Sequence, residues 1–105
     1  AGGVRKLVDI AMALARQPRL LLLDEPTSGV SACEKFEAMH RVMEALAGEA
    51  ATVVFVEHDM EIVAGFSERV IAFYSGRVIA DGTPAEVLAH ADVQKYVTGG
   101  AGQRA

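Results

Sequence analysis

Two adjacent carboxylates, Asp24 and Glu25, follow four consecutive leucines, Leu20 to Leu23. An apolar run of this kind is the pattern of a core strand, and it would deliver both acids to the strand's end. In a phosphoryl-transfer site the first of such a pair holds the Mg2+ shell, and the second orients or deprotonates the attacking water. A merely solvated acidic pair after a core strand is the competing reading. His58 is the second candidate: it follows another apolar run, residues 52–56, and is succeeded by Asp59. An imidazole there can donate to a terminal phosphate or to the attacking water and so sense nucleotide state, although a lone histidine at a strand end is more often just solvated. The third candidate is Ala1-Gly2-Gly3 ahead of a helical pattern. Glycines admit an anion to backbone N–H groups, and a helix N-terminus adds about half a positive charge, but paired glycines also mark ordinary turns.

The elements that must position these residues follow from periodicity. Over residues 4–16, Leu7, Ile10, Ala11 and Leu14 recur at helical spacing, with Arg5, Lys6, Asp9 and Arg16 for the other face, and Pro18 closes the helix. Residues 20–23 suit a strand buried on both faces of a parallel sheet. Thr27-Ser28-Gly29 reads as a turn. Ser31 and Glu34 form a capping box for a helix that carries Phe36, Met39, Val42, Met43 and Leu46 and ends near Gly48. Residues 52–56 are a second buried strand, and Asp59 can cap a short helix reaching Phe66. Residues 70–73 are a third strand, turned by Ser75-Gly76 into an antiparallel partner at 77–81. Thr83-Pro84-Ala85-Glu86 is a second capping box, and a last short helix covers residues 92–97. Strands alternating with helices, with polar residues at the strand C-termini, predict an open α/β sheet that takes its ligand at that edge.

Composition bounds the rest. At 105 residues, with 51% hydrophobic and 23% charged residues, the chain predicts one soluble globular unit with a single core. A net charge of -4 without a basic run argues against a nucleic-acid partner. Cys33 is the single cysteine, which excludes an internal disulfide and fits a small packing residue; no Cys/His cluster has zinc spacing. No apolar run approaches the roughly 20 residues of a membrane-spanning helix.

Taken together, the order and spacing of these motifs resemble the C-terminal half of an ATP-binding cassette (ABC) ATPase, a P-loop NTPase fold. The resemblance covers nearly the whole chain. It implies that Ala1-Gly2-Gly3 belongs to the signature motif, that Leu20 to Asp24 is the Walker B strand with Asp24 as the Mg2+ ligand, and that Glu25 is the catalytic glutamate. It also places Gly29-Val30-Ser31 in the D-loop and makes His58 the switch histidine. Ala1, Gly2, Gly3 and Ser31 would then contact ATP held by a second nucleotide-binding subunit in a head-to-tail dimer. The runs Val56-Glu57-His58-Asp59-Met60, Phe73 to Pro84 and Asp92 to Val97 resemble the ATP-binding subunits of branched-chain amino acid importers. That likeness implies permease subunits and, indirectly, a solute-binding protein as partners, at the cytoplasmic face of the plasma (inner) membrane. Related importers carry urea or short amides. A non-transport cassette ATPase and a non-catalytic regulatory fragment are the alternatives.

Ala1 stands where the family usually has Ser, Val4 where it has Gln, and Ser31 where it often has an acid or Asn. The expectation is a weakened but not abolished ATP sandwich. No Gly-x-x-x-x-Gly-Lys followed by Ser or Thr occurs in the chain. Residues 1–98 are therefore expected to be the C-terminal part of a nucleotide-binding domain, with a flexible tail at 99–105. The P-loop strand would be missing between the strands at 52–56 and 70–73, leaving apolar edges open and the isolated chain inactive.

Overall fold

The computed structural model describes the backbone of residues 2–99, and side chains from residue 5 onward. Ala1 and the tail from Gly100 to Ala105 lie outside the described residues. Among the described residues five helices and four strands follow in the order α1 (Gly2–Leu14), β1 (Leu20–Asp24), α2 (Lys35–Leu46), β2 (Thr52–Val56), α3 (Met60–Phe66), β3 (Val70–Tyr74), β4 (Arg77–Gly82), α4 (Pro84–Ala89) and α5 (Ala91–Tyr96). The chain divides into two compact units, Ala1–His58 and Asp59–Ala105. Composition predicts one core; among the described residues the first unit holds a buried cluster of Ile10, Leu21, Val42 and Leu46, and the second holds one of Ala72, Val87 and Val93.

In the first unit β1 and β2 pair in parallel, in register from Leu20 opposite Thr52 to Asp24 opposite Val56. α1 and α2 lie against this pair. Ile10, Leu21, Val42 and Leu46 form the buried cluster, with Leu7, Leu14, Met43 and Val53 packed on it. Ala13 joins it, whereas Ala11, assigned to the same stripe by spacing, is exposed. α1 stops ahead of Pro18, with Gln17 at φ 52°. At its other end Gly2 and Gly3 lie within the first turn rather than before it.

Two sequence expectations fail here. The strands are not buried on both faces: Leu21 is 6% exposed, but Leu20, Leu22, Val54 and Val56 are 53%, 68%, 45% and 63% exposed. Helices cover one face of the two-stranded sheet, and alternation of side chains along a strand sends every second residue to the open face. The Ser31 to Glu34 capping box does not form either. α2 starts at Lys35 with Glu34 as an N-cap that makes no side-chain cap bond. Glu34 N–H donates to the Ser31 carbonyl in a preceding turn, so Ser31 stands three residues outside the cap position. Gly48, at φ 84°, terminates α2 as its spacing predicts.

The second unit matches its sequence pattern closely. β3 and β4 form an antiparallel hairpin, and Ser75 and Gly76 both take positive φ, 53° and 76°, as a two-residue primed turn requires. A register shift between Ala72 and Phe73 marks a bulge. Asp59 caps α3 by accepting from Glu61 N–H at 3.1 Å. Thr83 and Glu86 complete a reciprocal capping box at 3.2 and 3.0 Å. His90 Nδ1 accepts from Asp92 N–H at 3.1 Å and caps α5, a role the sequence reading did not give it. Ala72, Val87 and Val93 make the core. The β1–β2 and β3–β4 sheets have two strands each and share none.

Candidate functional site

Parallel, in-register pairing brings the loops after β1 and β2 out at the same edge. The ladder runs one bond past the strands, where Glu25 N–H donates to the Val56 carbonyl at 2.8 Å. Glu25 then turns the chain at φ 46°. That left-handed conformation costs a side-chain-bearing residue about 1–3 kcal/mol and persists where the surroundings hold it. Two contacts hold it: Lys6 Nζ of α1 donates to the Glu25 carbonyl at 3.3 Å, and Ser28 N–H donates to the same oxygen at 2.9 Å.

The result is a direct meeting of two predicted site residues. His58 Nδ1 lies 2.5 Å from Glu25 Oε1. With a proton between these atoms, neutral His58 keeps Nε2 as an acceptor, and Nε2 donates only when the ring is protonated. One carboxylate oxygen of Glu25 is thus engaged, and the other is left for water. Asp24, the last residue of β1, is exposed. Among the described residues no hydrogen bond or ion pair engages its carboxylate. A groove of about 200 Å³ between α1 and β1 is lined by Lys6, Asp9, Leu22 and Asp24 among others.

Of the remaining candidates, Ser31 does not join this contact. Gly2 and Gly3 open α1, while Ala1 lies outside the described residues. Ser31 is exposed, and its hydroxyl meets Cys33 Sγ at 3.5 Å rather than the Glu25–His58 pair. Sequence reasoning missed Lys6, Thr27 and Glu57. Thr27, 1% exposed, donates from Oγ1 to Glu57 Oε2 at 2.9 Å, and Glu57 Oε1 accepts from His58 N–H at 3.2 Å. Their signal in the sequence was adjacency to the strand ends, which alone does not distinguish a buried threonine from a solvated turn.

Asp24 and Glu25 offer hard oxygen donors of the kind Mg2+ takes, one or two carboxylates with phosphates and water completing the shell. Among the described residues no group of three or more His, Cys, Asp or Glu could hold a metal alone. The donor set thus fits Mg2+ brought with a nucleotide rather than a closed protein cage. No helix among the described residues is long and apolar enough to cross a membrane.

Comparison with known proteins gives the family context. No family model matches the chain. It is 41% identical, over 93 residues and 89% of its length, to the energy-coupling factor transporter ATP-binding protein EcfA of Methanothermobacter thermautotrophicus, covering 30% of that protein. Over 94% of its length it is 34% identical to the high-affinity branched-chain amino acid transport ATP-binding protein LivG of Salmonella typhimurium, covering 39% of it. Among solved structures, CbiO1 from Clostridium perfringens, part of the ABC transporter complex CbiONQ, superposes with a TM-score of 0.74 at 35% identity. That match covers 89% of this chain and 37% of CbiO1. The ADP conformation of another ABC transporter's ATP-binding cassette gives 0.76 at 27% identity, covering 90% of this chain and 39% of that one. The chain spans roughly a third of the length of these relatives. In sequence similarity and in its α/β fold, a parallel strand pair with helices and an antiparallel hairpin, the chain corresponds to a segment of an ATP-binding cassette ATPase domain.

Proposed function

We propose that this segment carries the water-activating edge of an ATP-hydrolysing importer subunit, and that a P-loop half completes it in the intact subunit. The observation that supports this best is the 2.5 Å contact between Glu25 and His58 at the C-terminal edge of a parallel strand pair. In this reading Glu25 orients the attacking water and takes its proton on the oxygen that His58 leaves open. His58, fixed by Glu25 through Nδ1–H, donates from Nε2–H to the terminal phosphate when its ring is protonated. Asp24 would hold Mg2+, which supplies charge neutralisation on the phosphates when bound. Gly2 and Gly3, with Ala1 and Ser31, would face nucleotide held by a second such subunit, and permease subunits would receive the resulting motion. In this reading the protein works at the cytoplasmic face of the plasma (inner) membrane.

For the solute we propose branched-chain amino acids. The likeness to LivG extends over 94% of the chain. Relatives named for cobalt, phosphonate and dipeptide transport match at comparable identity, so the importer class rests on more relatives than the solute does. Uptake of labelled leucine, urea and cobalt by cells with and without the intact subunit decides the solute.

Glu25→Gln in the intact subunit tests the mechanism. The expected outcome is loss of ATP turnover by about 100-fold or more with nucleotide binding retained, as for removal of a general base. Unchanged turnover overturns the assignment.

A further inference from the structure

The imidazole of His58 meets Glu25 although little packs against it. Its side chain is 79% exposed. A ring so open to solvent is not held by neighbouring walls, so the contact depends on where the main chain places it. That main chain is itself tied down: His58 N–H donates to Glu57 Oε1 at 3.2 Å. Glu57 uses its second oxygen, Oε2, to accept from Thr27 Oγ1 at 2.9 Å. Thr27 is 1% exposed and lies two residues after Glu25. The links close a ring that runs from Glu25 along the chain to Thr27, across to Glu57, on to His58 and back to Glu25.

We infer that Thr27 and Glu57 are positioning residues: a side-chain clamp between the loops after β1 and β2 that holds His58 against Glu25. The chemistry of Glu57 suits this task. A carboxylate is an acceptor at both oxygens and serves a hydroxyl and a backbone N–H at once. Thr27 suits it as well, because a buried hydroxyl has no water to exchange for its partner and keeps the bond it has. Neither residue need touch nucleotide. Their effect on hydrolysis rests on the proposed roles of Glu25 and His58, whereas their effect on the imidazole does not.

The test uses the intact subunit with ¹⁵N-labelled histidine. The wild-type His58 Nδ1–H resonance is expected far downfield, recorded at low temperature because the open ring exchanges its proton with water. Thr27→Val removes the hydroxyl at nearly constant volume. It is expected to abolish that resonance and to lower kcat about tenfold with KM within twofold, while Thr27→Ser restores both. Glu57→Ala, at a more exposed position, should match Thr27→Val and carries the test if that variant fails to fold. The double variant should be no worse than the poorer single one, since both break the same ring. Retention of the resonance in Thr27→Val and Glu57→Ala overturns the clamp, and its loss with unchanged kcat overturns its part in hydrolysis. Should Glu25→Gln leave turnover untouched, the hydrolytic reading fails by itself and the resonance still decides the clamp.

Discussion

The two units solve the problem of order in different ways. In Ala1–His58 the decisive contacts join residues far apart in sequence. β1 pairs with β2 about thirty residues on, Lys6 reaches the Glu25 carbonyl, and Thr27 reaches Glu57. In Asp59–Ala105 most bonds are made between near neighbours: a hairpin across Ser75-Gly76 and caps at Asp59, Thr83 and His90. Arg69 spans the hairpin to grip Asp81 with two bonds of 2.8 and 2.7 Å, and Tyr74 stacks on Tyr96 with ring centroids 4.5 Å apart. Every proposed site residue lies in the first unit. Parallel pairing needs a long crossover, but it releases two loops at one edge, and that shared edge is what lets residues from separate segments converge. A hairpin folds more locally and brings together only what already lies close in the chain.

The largest expected break in this contrast is in the first core. Leu21→Ala empties a site 6% exposed, packed with Ile10, Val42 and Leu46, and should cost about 2–5 kcal/mol. The same substitution one residue on, Leu22→Ala, lies on the open face at 68% exposure and should change the stability of the 105-residue chain by less than about 0.5 kcal/mol. Urea denaturation of both variants measures the difference. Comparable losses would mean that something covers the β1–β2 face in solution.

A smaller effect is expected from Thr83→Ala. It removes the capping box of α4 and should cost about 1 kcal/mol, with faster amide exchange at Glu86 and no change around Leu21. Spread of the exchange into the first unit would show that the two respond together.

The smallest effect is electrostatic. The Arg69 guanidinium bonded to Asp81 holds that carboxyl below its ordinary range, and the backbone N–H of Thr83 does the same for Glu86. A carboxylate whose folded pKa is depressed contributes stability above its unfolded value, about 3.9 for Asp, and loses it as pH falls through the lower folded value. The melting-temperature gap between wild type and Asp81→Asn should therefore be constant from pH 7 to about 5 and close below about pH 4. Because both groups are exposed, the gap should be small and should shrink in salt. A gap that widens on acidification would reverse the assignment.

Much of this protein is legible in its amino-acid sequence. The four leucines ending in Asp24 and Glu25, the β-branched run ending ahead of His58, the Ser75-Gly76 turn and the Thr83 to Glu86 box carry local signals: apolar runs of strand length, positive φ, and side chains that satisfy a helix's first N–H groups. These depend on a few adjacent residues, so sequence alone determined them. The Ser31 to Glu34 pattern shows the limit. It has the residues of a cap, yet the chain enters α2 about one turn later, after a turn in which Glu34 N–H donates to the Ser31 carbonyl.

What sequence left open is everything that depended on register. That Asp24 stands opposite Val56, so that Glu25 meets His58 and Thr27 meets Glu57, follows from pairing two strands whose intervening helix packs on one face. A shift of one residue would turn each apolar side chain to the other face. Burial of Leu21 against α1 and α2 excludes that shift. Sequence supplied two acids and an imidazole at strand ends; tertiary structure alone brought one of those acids to 2.5 Å from the imidazole, because only packing between distant segments chooses a register.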